Sequence, residues 1–213
     1  MKLLPLPGRG LRLLLDHDEA AMLDQLIAQL IQLLQSHSST ALDPDPLFAS
    51  LEVGGSDETP DDPALARLFP DAYAEGARSG EFRSVTEQGL LNRKLQDAMD
   101  VTAALGLGGG APADGTLVEV DISQSTLPAW VRTVTALRLA IAARIGLDGS
   151  EDRPRLLDDE ETRGTVLVFD WLAAILESVL AIVESGEPDD ETDDAPDPDS
   201  GPRPDPGAAN RNG

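Results

Sequence analysis

Apolar residues return every three or four positions along four stretches of this 213-residue chain and alternate along one short stretch. That rhythm predicts a mostly helical fold, because a 3.6-residue period lays such positions on one helix face and a period of two marks a half-buried strand. Asp16 starts the first helix, with Glu19 three residues later in a capping-box arrangement. The helix runs to about Gln35 with Ala20, Leu23, Leu26, Ile27, Leu30, Leu33 and Leu34 on one face. Residues 38–61 are rich in Ser, Pro, Asp and Gly and read as a flexible loop. Asp62 and Pro63 then open a short helix ending near Phe69, where Pro70 forces a break. A long helix is expected from Gly80 to Leu105, carrying Phe82, Val85, Leu91, Leu95, Ala98, Thr102 and Leu105 on one side. Gly106 to Gly115 ends it. Leu117–Ile122 alternates as a strand, and Leu11–Leu15 is its candidate partner. A further helix has Pro128 in its first turn and Leu127, Trp130, Val134, Leu137, Ile141 and Ile145 as its stripe. Asp148–Gly164 reads as a charged loop before a last helix over Thr165–Glu184.

That last helix is the most apolar stretch. Asp170, Glu177 and Glu184 recur every seven residues and share one narrow face, while nearly everything else is apolar. Charges near the middle of a membrane-spanning helix cost about 2.5–3.5 kcal/mol each, so a soluble helix buried on most sides is expected. Two readings stay open: a central core helix, or a helix shared with a partner or a second copy. The expected architecture is a single mainly α domain over 1–186, with four to six helices and at most a small two-stranded β-pair. A disordered acidic tail follows over 187–213.

Composition narrows the function. Apolar residues make up 41% of the chain and aromatics 3%, so the core must be chiefly Leu, Ile, Val and Ala. The formal charge is −23, and no Lys/Arg cluster exists, which argues against direct nucleic-acid binding. The tail holds nine acids and two arginines, −7 of the total, leaving −16 on residues 1–186. Such a surface suits simple solubility, or a protein partner with a basic surface. The absence of cysteine removes disulfides, thiol catalysis and thiol redox sensing. His17 and His37 lie at the two ends of one helix with no evident partner and read as surface residues. Gly106-Leu107-Gly108-Gly109-Gly110 follows a helix and precedes no Lys, so it is a helix stop rather than a phosphate cradle. Prolines and arginines break the leucine-rich start, which reads as non-secretory and cytoplasmic. Acidic pairs such as Asp158 and Asp159 sit in polar runs, where solvated carboxylate is the plain reading. No catalytic, metal or cofactor residues are assigned.

Two of the four phenylalanines and the only tyrosine fall between Asp62 and Glu87. Arg67, Arg83, Arg93, Arg132, Arg138 and Arg144 lie on expected helices of an acidic chain. Structural ion pairs explain them economically. The sharper reading is a recognition surface of Arg67, Tyr73 and Arg83, with Arg138 and Trp171 as further candidates. Phe69 is expected to be buried where Asp62–Tyr73 packs against the helix beginning near Gly80.

The block Asp62-Pro63-Ala64-Leu65-Ala66-Arg67-Leu68-Phe69-Pro70-Asp71-Ala72-Tyr73 carries a likeness, with Glu81-Phe82-Arg83 and Thr86-Glu87 behind it. Trp130 ahead of Leu137-Arg138-Leu139 and Arg144, then Asp170-Trp171-Leu172, extend it over most of residues 10–185. In these the chain resembles the actinobacterial AosR family of oxidative stress transcriptional regulators. The resemblance implies a cytoplasmic, non-catalytic helical regulator that works with a sigma factor and RNA polymerase, whose basic faces suit an acidic surface. Redox regulation in that family is associated with a pair of closely spaced cysteines, which this chain lacks. The alternative is a structural scaffold that self-associates, as a homodimer, through the last helix. An enzyme using buried carboxylates is a third reading.

Overall fold

A computed structural model describes residues 1–6, 10–41, 60–70, 77–107 and 117–185, with the side chains of 38–41, 77–86 and 184–185 outside that description. Three strands are present, β1 (Lys2–Leu6), β2 (Gly10–Leu15) and β3 (Val118–Ile122). The helices are α1 (His17–Ala41), α2 (Pro63–Leu68), α3 (Ala77–Leu105), α4 (Leu127–Ile145), α5 (Arg153–Asp158) and α6 (Glu160–Ser185). The mainly helical fold is as expected. Residues 42–59 of the expected loop and the acidic tail lie outside the described residues.

The expected pairing of Leu11–Leu15 with Leu117–Ile122 forms as antiparallel β2–β3, with Leu13 opposite Val120. Leu11, Leu13, Leu15, Val120 and Ile122 are buried on the inner face. On the outer face Arg12 sits opposite Asp121, and its Nε and Nη2 donate to the carboxylate at 2.6 and 2.7 Å. The hydrogen bond from Arg12 holds the Asp121 carboxyl below the usual carboxylate range. β1 adds a third strand beyond the two-stranded pair, antiparallel on the far edge of β2. Pro5 cannot donate to a ladder, and an edge position tolerates that loss.

The first helix starts by the anticipated capping box. The Asp16 N–H donates to Glu19 Oε2 at 3.0 Å, and the Glu19 N–H donates to Asp16 Oδ1 at 2.8 Å. α1 runs through residues 38–41, where a loop was expected. α4 sits at the centre, packed against α1, α2, α3 and α6, and buries Trp130, Val134 and Leu137. Gly146 ends it at φ 65°, a left-handed conformation that glycine adopts without a Cβ penalty.

Two expectations about the C-terminal third change. Asp148–Gly164 is not one loop, since it contains α5 and the first turn of α6. Pro154 stands in the first turn of α5, Leu156 is buried, and Asp159 Oδ1 accepts from the Glu161 N–H at 3.0 Å to start α6. Local caps and one buried leucine thus override a polar composition. α6 is also not a central core helix. Leu172, Ile175 and Val179 are buried, yet Leu167, Leu180 and Val183 are exposed, and only 22% of its most apolar stretch is buried. Its partners, α4, α5 and β1, cover one side. Glu160–Val183 is long and apolar enough to cross a membrane, by length and composition alone.

Candidate partner-binding surface

The Asp62–Phe69 block builds a joint. Asp62 Oδ1 accepts from the N–H groups of Ala64 at 2.8 Å and Leu65 at 3.2 Å, capping α2, while Oδ2 accepts from Arg144 Nη2 at 2.6 Å. One carboxylate therefore starts α2 and ties it to the end of α4. We expect Asp62→Ala to lower stability by about 0.5–2 kcal/mol through the lost cap. Asp62→Asn should retain most of it, as read from urea midpoints. An equal loss in both would place the effect in the Arg144 contact instead.

Phe69, just past α2, is 3% exposed, as anticipated. Its ring stacks on His37 with centroids 5.2 Å apart, and Lys94 Nζ lies 5.8 Å from the ring centre. Burial pushes the Lys94 ammonium below the ordinary lysine range. His37 Nε2 pairs with Glu87 Oε1 in a buried contact. His37 is therefore not a surface residue, because the end of α1 is covered by Phe69 and α3. α2 packs chiefly on α4 rather than on α3, and Phe69 reaches across to Lys94.

The arginines serve mostly as ties. Arg67 donates to Asp148 at 2.5 Å. Arg132 grips the buried Asp97 through Nε at 2.6 Å and Nη2 at 2.8 Å, and this raises the guanidinium pKa. Arg153 pairs with Asp170, which occupies one position of the acidic stripe on α6. Tyr73 lies outside the described residues, and so does the side chain of Arg83, which sits on α3. Of the expected trio, the side chain of Arg67 alone is described, and it is engaged by an acid; whether the three cluster lies outside the described residues. Arg138 stands elsewhere, its guanidinium 4.3 Å over the Phe169 ring, with Nε buried and without a hydrogen-bond partner among the described residues. Trp171 is half-buried, and its Nε1 also lacks a hydrogen-bond partner among the described residues.

One concavity among the described residues was not anticipated. It is an open groove of about 630 Å³ between α1, α4 and the start of α6. Leu26, Leu30 and Leu33 of α1 face Leu137 and Ile141 of α4 and Val168 of α6 across it. Glu160 and Glu161 stand at the α6 edge, with Gly164 a turn further on. The sequence signal was present in Leu26 and Leu33, apolar positions at the flank of the α1 stripe. Among the described residues no group of acids and histidines is arranged to hold a metal.

The profile of the family described as "Domain of unknown function (DUF2017)" matches residues 4–183. The oxidative stress regulator AosR of Mycobacterium tuberculosis is 25% identical over 180 residues, covering 78% of each chain, and its Mycobacterium bovis counterpart matches equally. A Mycobacterium leprae protein that carries the same name in provisional form is 27% identical over 145 residues, 61% of this chain. The chain spans 63% of that relative's length. No solved structure matches.

Proposed function

Because the chain belongs to the family described as Domain of unknown function (DUF2017), we propose that it is a non-catalytic, cytoplasmic oxidative-stress regulator that acts by binding a sigma factor or RNA polymerase. The observation that carries this reading is the alignment with proteins named oxidative stress regulator over 78% of both chains. The acidic surface supports it, since −16 on residues 1–186 favours a partner with a basic face and disfavours nucleic acid. A second reading, self-association through α6, is favoured by the exposed Leu167, Leu180 and Val183. Like charge on two copies works against it.

The test is capture from lysate with tagged full-length protein, read by mass spectrometry. Recovery of a sigma factor or RNA polymerase subunit is expected. Recovery of this chain alone would favour the scaffold reading. The absence of cysteine adds a prediction about the signal. Diamide or peroxide treatment of the purified protein should leave its affinity for that partner unchanged. Its easily oxidised side chains are Met1, Met22 and Met99, and methionine sulfoxide is not reversed by dithiothreitol. The oxidant response then enters through the partner. A dithiothreitol-reversible change in affinity for a partner that also lacks cysteine would contradict this.

A further inference from the structure

We propose that the groove between α1, α4 and α6 receives an amphipathic helix of the protein partner, with an apolar stripe flanked by Lys or Arg. This rests on the reading that the chain works by binding protein, and it names the site and the recognised chemistry.

Three observations converge on this occupant. The floor is aliphatic, with Leu30 and Leu137 buried and Leu26, Leu33, Ile141 and Val168 half-buried, and the polar lining residues, Gln29 and Thr165 among them, are the minority, so the groove offers mainly apolar area. Apolar side chains at helical spacing fill such a trough. The edge is acidic. Glu160 and Glu161 are exposed in the first turn of α6, and Asp158 and Asp159 directly precede them. The one basic lining residue, Arg144, is already held by Asp62. A basic flank therefore finds exposed acids and little repulsion.

The third observation is Gly164. It lies inside α6, its φ is not in the left-handed range, and a Cβ built on it meets nothing within 4 Å. Glycine is a poor choice inside a helix, and neither conformation nor packing requires it here. Its bare backbone gives an incoming helix close approach to the α6 axis. Gly89 has the same open space but does not line this groove. A second copy of this chain is a poor occupant, since its apolar helix α6 carries an acidic stripe and both copies are strongly negative.

The test uses the full chain and two fluorescent synthetic amphipathic helices, one of leucine and lysine and one of leucine and glutamate, read by anisotropy at physiological salt. The leucine–lysine helix should bind and the leucine–glutamate helix should not. Gly164→Trp, and separately Glu160→Lys with Glu161→Lys, should each weaken binding at least tenfold. Asp100→Lys with Glu119→Lys, on α3 and β3 away from the groove, should change it less than threefold. Gly164→Ala supplies a control against misfolding, because it should melt at a higher temperature than the parent yet bind more weakly. Equal binding by all variants would mean that net charge alone attracts the probe, and would overturn the proposal. So would failure of the leucine–lysine helix to bind. A parent that sediments as a dimer and a Gly164→Trp variant that sediments as a monomer would assign the groove to self-association instead. If lysate capture recovers a sigma factor equally with parent and Gly164→Trp, the groove assignment falls while the proposed function stands.

Discussion

Phe69→Ala should lower stability by about 3–5 kcal/mol, the range for deleting a buried ring. The size follows from where the ring sits. Phe69 joins three helices at once, following α2, stacking on His37 of α1 and lying within reach of Lys94 of α3. None of these neighbours is a small aliphatic residue that could slide into the hole, and His37 is itself held by Glu87. The cavity should therefore persist, and a persistent cavity adds to the lost transfer energy. Phe69→Leu should recover part of the loss, because it refills most of the volume without the stacking. The measurement is a urea titration in which the midpoint falls while the slope is unchanged, so that the effect reads as stability. A loss below about 1 kcal/mol would mean that the site collapses freely, and Phe69 would then be a docking motif loosely folded onto the core.

The same residue shows how much of the fold the sequence carries. Phe69 could be placed inside because rings in a 3%-aromatic chain cluster for burial. Its neighbours could not be named, since the ladder from Phe69 to His37 to Glu87 joins residues up to 50 positions apart. His37 was misread for this reason: on its own helix it stands at an end, and only the approach of other segments buries it. The two strands, the α1 cap and the α4 stripe were legible because each is set by local spacing or local hydrogen bonds, and the strands could be paired across more than 100 positions because the sequence offers just two strand-like runs. α6 was misplaced by the opposite error. Its composition suits burial on most sides, yet whether neighbours cover it depends on the length and position of α4, α5 and β1. The arginines were legible as helix residues that form ion pairs, but their partners were not, because Arg67 and Arg144 reach acids more than 80 positions away. The groove was invisible, since it is a gap between helices rather than a property of any one.

Glu87→Ala should cost about 1–3 kcal/mol, the penalty for removing one member of a buried hydrogen-bonded pair and leaving the other without its partner. Both members are deeply covered, His37 at 8% and Glu87 at 4% exposure, so water cannot readily replace the lost contact. The sharper test is the pair taken together. His37→Leu with Glu87→Leu removes both polar groups and restores apolar volume, so the double variant should be more stable than the sum of the two single losses predicts. A coupling of about 0.5–3 kcal/mol is expected in that cycle. Strict additivity, measured by urea unfolding of all four proteins, would mean that each residue acts through its own surroundings and that the contact between them is incidental. A positive coupling has a consequence for the joint. His37 is fixed on one side by Glu87 and on the other by Phe69, so loosening the pair should also reduce the cost of Phe69→Ala. The end of α1, the turn of α3 that carries Glu87 and the exit from α2 would then share one energetic unit, through which binding at any one of the three would be felt at the others.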